Sequence, residues 1–127
     1  MIVISDTSCL CYLAILDVAD LLPRLYGTVA IPQAVYSELI EGSVSIPAVA
    51  SLLRCSWLEV HQVKDSPLHR KLLLRIDRGE AAALALAEEL KADLVLVDDG
   101  PGRKAAIELG VLFTGTLGVL AASKNAG

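Results

Sequence analysis

The sequence predicts a three-layer α/β sandwich, a five-stranded parallel sheet with helices on both faces. Three observations predict it. Five short aliphatic runs rich in β-branched residues recur along the 127 residues. Each is followed by a segment with helical patterning and recognisable start or stop residues. The run LVLV at 94–97 shows no polar alternation, which is the pattern of a strand covered on both faces.

The elements follow in order. Residues 2–4 form a first strand, closed by Ser5-Asp6-Thr7-Ser8, which opens a helix. Helical patterning then runs from Cys9 to Leu25, with a break around Asp17 and an end near Gly27. Residues 28–31 form the second strand. Pro32 opens the next helix at a position where a missing N–H costs nothing, and Gly42 stops it. Ser45-Ile46-Pro47 starts another helix that ends near Arg54, and residues 57–63 alternate as a third strand. Residues 64–78 are the most polar stretch, with a helical piece over 67–76. EAAALALAEELK makes 79–91 the strongest helix of the chain. The fourth strand is 94–97, followed by a helix at 101–109 that ends at Gly110. A fifth strand at 111–113 and a short helix at 116–123 complete the pattern. Neither a repeat nor a linker interrupts it, so one domain is expected over 1–127.

In an open parallel sheet the functional crevice lies outside the carboxyl ends of the strands. Asp6 leaves the first strand there, and Asp98 and Asp99 leave the fourth. Glu38 sits in the second turn of the helix opened by Pro32, beside its apolar face. The helix at 79–91 feeds the amino end of strand four, so it begins at the carboxyl edge with Glu80 in its first turn. Four segments thus bring acids to one end of the sheet. Clustered like charges are unfavourable unless neutralised. A set of carboxylate oxygens suits a hard divalent cation, Mg²⁺ or Mn²⁺, and phosphodiester hydrolysis is the chemistry such a site performs. Each acid alone also has an ordinary explanation. Asp6 and Glu80 suit helix N-termini, Asp98-Asp99-Gly100 suits a turn, and Glu38 suits an exposed helix face.

These residues resemble the PIN-domain family. Asp6-Thr7-Ser8, IPQAVYSELI, RGEAAALALA, LVLVDDGPGRKAAIELGV and GTLGVLAA match in order and spacing over essentially the whole chain, most closely its small prokaryotic, VapC-toxin-like branch. The resemblance implies sheet order 3-2-1-4-5 and a metal-dependent endoribonuclease. Its metal-binding and catalytic acids carry over to Asp6, Glu38, Glu80 and the Asp98/Asp99 pair, with Asp99 nearer the usual position. Its assisting hydroxyl residue carries over to Ser8. It also implies RNA as substrate and an inhibitory partner, an antitoxin protein. Two departures stand out. Cys9 replaces a usual Pro, and the family's C-terminal helical extension is missing after Ser123-Lys124-Asn125-Ala126-Gly127, which would leave apolar surface free and favour a homodimer.

Composition frames these expectations. Three cysteines, Cys9, Cys11 and Cys55, fit buried small hydrophobes in a reduced cytoplasm, and Cys9-x-Cys11 lacks a second ligand pair. MIVISDTS has no basic region and meets an acid at Asp6, so no signal peptide is expected; no apolar run reaches the ~18 residues of a membrane span. His61 and His69 have no partner at a persuasive position. The net charge of −4 argues against nucleic acid at first sight. Its distribution argues otherwise. Only Arg24 precedes Arg54, after which Arg54, Lys64, Arg70, Lys71, Arg75 and Arg78 follow. Arg78 and, on the helix leaving the acids, Arg103 are candidate substrate contacts, the alternative being a solvated helix face or a pairing with a nearby acid. The charge then reads as that of an empty cation site, with RNA binding improved by metal. Two other readings compete. One is a catalytically inactive PIN-like RNA- or protein-binding module. The other is a signalling receiver domain, for which only Asp65 after strand three speaks.

Overall fold

A computed structural model describes residues 1–126; Gly127, the last residue of the expected domain, lies outside the described residues. The order is β1 (Val3–Ser5), α1 (Thr7–Ile15), α2 (Leu21–Tyr26), β2 (Val29–Pro32), α3 (Gln33–Ser43), α4 (Pro47–Leu52), β3 (Leu58–His61), α5 (Pro67–Leu73), α6 (Arg78–Leu90), β4 (Leu94–Leu96), α7 (Gly100–Leu109), β5 (Phe113–Thr114) and α8 (Thr116–Ala126). All strand pairs are parallel, in the order β3-β2-β1-β4-β5. The expected sandwich and its strand order are both observed.

Strand alternation divides the apolar residues between two cores. Val3, Val29, Ile31 and Leu96 pack with Leu10, Leu13, Leu22, Val35, Leu39, Val49 and Val119 on one face. Ile4, Ala30, Val95 and Val97 pack with Leu72, Leu84, Leu86, Ala105 and Ala106 on the other. Neighbouring residues of one strand thus serve opposite layers, which is why the inner strands read as unbroken aliphatic runs. Helix α6 is buried from Gly79 to Ala87, and small alanines let it lie close on the sheet.

The break near Asp17 is real. Asp17 has φ 61°, in the left-handed region where a regular helix cannot continue, and α2 begins at Leu21. Gly27 and Gly110, with φ 81° and 71°, terminate α2 and α7 as the stop signals indicated. Strand boundaries shift. β1 starts at Val3 and β5 at Phe113 because register against β4, Val3 opposite Leu94 and Val95 opposite Phe113, decides where pairing begins. A strand that is apolar on both faces, as β1 is, lacks the alternation that would fix its register. Among the described residues no helix is long and apolar enough to cross a membrane.

Candidate functional site

Every acid singled out from the sequence stands at the carboxyl edge. Asp6 follows β1, its amide donating to the Leu96 carbonyl at 3.0 Å, which ties the start of α1 to β4. It is also the N-cap of α1, its Oδ1 accepting from the Cys9 amide at 3.0 Å. The ordinary explanation for Asp6 therefore accounts for half of its carboxylate. The other oxygen, Oδ2, is buried without a hydrogen-bond partner, in a residue only 1% exposed. A lone charged oxygen out of water is costly, and native structures keep such atoms where something else is meant to meet them. Burial pushes the Asp6 carboxyl up to about 7 against the pull of the Cys9 amide, with Asp98, Asp77 and Asp99 adding repulsion.

Glu80 is the second buried acid, at 6% exposure. Its amide is capped by Asp77, whose Oδ1 accepts at 2.9 Å. Burial pushes the Glu80 carboxyl up to about 8, reinforced by the Asp99 and Asp77 carboxylates beside it. Glu38 is half-buried on α3 and accepts a hydrogen bond from the Thr7 hydroxyl across 31 positions of sequence. Asp98 accepts from the Thr116 amide at 2.7 Å and the Thr116 hydroxyl at 2.6 Å. Asp99 is the N-cap of α7, exposed, and makes no side-chain capping bond.

Glycines make room for these carboxylates. A Cβ on Gly79 would collide with Glu38 and Thr7, and a Cβ on Gly102 would crowd Glu80 Oε2 at 3.0 Å and Val97. Gly79→Ala should therefore displace Glu38 while leaving the helix intact. We expect metal-dependent activity to fall about 10-fold with stability changed by less than ~1 kcal/mol, since the alanine gains helix propensity as the carboxylate shifts. Activity assays paired with urea unfolding check this; an unchanged rate would place Glu38 outside the site.

The remaining candidates divide. Arg103 is half-buried, its Nε donating to the Val97 carbonyl at 3.1 Å, with Nη2 3.8 Å from Asp98 and the guanidinium 5.6 Å from the Phe113 ring centroid. Arg78 is exposed at the first position of α6. Ser8 is exposed, whereas its neighbour Thr7 makes the contact to Glu38. Three of the six cations of the basic stretch pair locally: Arg70 with Asp65 at 2.7 Å, Arg75 with Glu108 at 2.8 Å and Lys64 with Glu89 at 4.0 Å. Asp77, Thr7 and Thr116 escaped the sequence reading. Only Asp77 had a local signal, an acid three residues before Glu80 where a helix begins.

Among the described residues no three His, Cys, Asp or Glu side chains form a finished metal centre. The donor set is nonetheless the right one for a hard cation. Asp6 Oδ2 is orphaned, Glu80 and Asp6 hold protons well above the usual carboxylate range, and Asp99 is not engaged in capping. The residues present therefore fit a divalent metal.

A solved PilT N-terminus domain protein from the hyperthermophilic archaeon Sulfolobus solfataricus P2 is similar in fold, with a TM-score of 0.72 at 21% identity, covering 97% of this chain and 93% of that one. No curated protein matches the sequence. A family model described as PIN domain matches residues 2–127, the span that carries β1 with Asp6, the Glu38 helix, the Glu80 helix and the Asp98-Asp99 turn. With the sheet order that family leads one to expect, this chain belongs to the PIN-domain family.

Proposed function

We propose that this protein is a metal-dependent endoribonuclease that hydrolyses RNA phosphodiester bonds and serves as the toxin of a toxin–antitoxin pair in the cytoplasm. PIN domains are typically nucleases. The observation that carries the reading here is the buried, half-satisfied Asp6 carboxylate at the centre of an acidic edge. Asp6, Glu38, Glu80 and a member of the Asp98/Asp99 pair are the residues that would hold Mg²⁺ or Mn²⁺. Bound there, the cation supplies Lewis acidity to a phosphate oxygen and lowers the pKa of water.

The chain's own contributions are positional and acid–base. The Cys9 amide fixes Asp6 so that Oδ2 stays in the site. Thr7 aims Glu38, and Asp77 sets the first turn of α6, which presents Glu80. Burial raises the proton affinity of Glu80 to about 8 in the metal-free chain, and one carboxylate of the acidic edge is suited to accept a proton from an attacking water. Arg103 and Arg78 are the candidate contacts to the RNA phosphates, and Ser8 a candidate for assistance from the first turn of α1. Beyond Asp77 and Asp99 lies a groove of about 440 Å³ lined by Arg75, Ile76, Gly100, Pro101 and Lys104, which supports a path for the flanking strand. The exposed Tyr12, Ile15 and Leu16 on one face of α1 support an antitoxin or a second copy as partner.

Purified protein is expected to cut RNA with Mn²⁺ or Mg²⁺ and to lose that activity with chelator. Glu80→Gln is expected to lose it by about 10²-fold or more; full activity in that variant would sink the reading. RNA affinity is expected to rise with Mn²⁺, because the cation offsets acids that otherwise repel phosphate. Affinity unaffected by metal or chelator contradicts this.

One observation favours a second reading, an inactive PIN-like binding module: the carboxylates are not gathered into a finished centre. Absence of measurable Mn²⁺ affinity would select it.

A further inference from the structure

We infer that the adjacent Asp98 and Asp99 have different tasks: Asp98 is a positioning residue that ties the start of α8 and the Arg103 side chain to the acidic edge, and Asp99 is the member left to meet the cation. The part concerning the cation rests on the nuclease reading above; the tether rests on geometry alone.

Both oxygens of Asp98 are engaged. Oδ1 accepts from the Thr116 amide at 2.7 Å and lies 3.8 Å from Arg103 Nη2, while Oδ2 accepts from the Thr116 hydroxyl at 2.6 Å. Thr116 is the first residue of α8, where backbone amides lack intrahelical acceptors and negative charge is favoured. Asp98 thus caps α8 from across the sheet edge. Gly115 shows how close this approach is, because any Cβ there would collide with both the Asp98 carboxylate and the Arg103 guanidinium. The contact chain continues inward. Cys9 Sγ lies 3.7 Å from the Thr116 hydroxyl, and the Cys9 amide is the donor that fixes Asp6. Val119, one turn into α8, is fully buried in the α1 core.

Asp99 differs in each respect. It makes no capping bond although it is the N-cap of α7, and its carboxylate stands beside Glu80. Its carboxylate shares a proton-mediated contact with Glu80, another acid of the edge, whereas that of Asp98 is committed to Thr116. Arg103 is held by Val97, Phe113 and Asp98 together, so loosening Asp98 removes one of the three contacts that fix the guanidinium, the candidate contact to RNA phosphates.

Hydrogen exchange over residues 116–120, Mn²⁺ titration and RNA kinetics on the wild type, Asp98→Asn, Thr116→Val and Asp99→Asn test this. In Asp98→Asn and Thr116→Val, exchange at the start of α8 should accelerate about 10-fold, as for loss of a charge-assisted hydrogen bond. Mn²⁺ affinity should stay within about 3-fold, and KM for RNA should rise more than kcat falls. Thr116→Ser, which keeps the hydroxyl, should restore protection. Asp99→Asn should leave exchange at α8 unchanged and weaken Mn²⁺ binding by about 10-fold or more. Asp98→Asn weakening Mn²⁺ as much as Asp99→Asn, or leaving α8 protected, overturns the proposal. If the wild type binds no Mn²⁺, the nuclease reading fails, and the exchange pattern still decides whether Asp98 is the tether.

Discussion

Asp6→Asn should abolish metal-dependent RNA cleavage and, in the same molecule, make the metal-free protein more stable. The amide oxygen can keep the bond from the Cys9 amide, so the N-cap of α1 survives. What is lost is the charge on Oδ2, the atom that burial leaves without a partner. An amide nitrogen in its place is a donor facing the carboxylates that raise the Asp6 proton affinity, Asp98, Asp77 and Asp99. Cleavage is expected to drop by about 10³-fold or more, the scale on which removing a central group of a cooperating set acts. Stability without metal at pH 8 is expected to rise by ~1–3 kcal/mol, the cost of a buried unpaired polar or charged group. Single-turnover cleavage and urea unfolding with chelator present measure both. A variant that cleaves at the wild-type rate removes Asp6 from the site. A variant less stable than wild type shows instead that Oδ2 makes a structural contact.

Stability of the metal-free protein should also fall as pH rises from 5 to 8. The direction follows from proton binding. In the folded chain Asp6 holds its proton up to about 7, and Glu80 up to about 8, against ordinary values of 3.8 and 4.5. Below about pH 4 both folded and unfolded chains are protonated at these sites, and the groups add no pH dependence. Between there and the folded values, the unfolded chain has released protons that the folded chain retains, so each unit of pH lowers stability by ~1.4 kcal/mol per group. Above about pH 9 the loss is complete. Asp6 alone, whose carboxyl is almost wholly enclosed, accounts for a loss of about 4 kcal/mol over the whole range, and Glu80 adds to it in the same direction. Mn²⁺ should restore stability at pH 8 far more than at pH 5, where protons compete for the same oxygens. Denaturant midpoints at the two pH values, with Mn²⁺ and with chelator, test this. A midpoint that rises with pH in chelator would show that these carboxyls are not buried together.

Much of the fold was legible because the covered strands carry their own signature. Val3, Ile4, Val95 and Leu96 are apolar on both faces, and Pro32, Gly42 and Gly110 punctuate the helices between strands. The placement of the acids followed from topology, since a parallel sheet sends every strand's exit to one edge. What stayed hidden lies in contacts between distant positions. Thr7 meets Glu38 across 31 residues, Thr116 meets Asp98 across 18 and Cys9 across 107. No periodicity marks such a pair. The glycines at 79, 102 and 115 were equally silent, because each answers a carboxylate that arrives from another segment. Nor does the sequence pair the basic stretch with its partners: Asp65, Glu89 and Glu108 meet three of its six cations only in the folded chain.

The sequence by itself determined which acids leave the sheet edge and the family, since these depend on element order and residue type. The tertiary structure alone decided what each acid is free to do. Asp6 and Asp98 both hold helix starts, yet one keeps an unmatched oxygen and the other spends both on Thr116. That difference is a matter of burial and of which donors lie within 3 Å, properties that exist only once segments remote in the chain have been packed together.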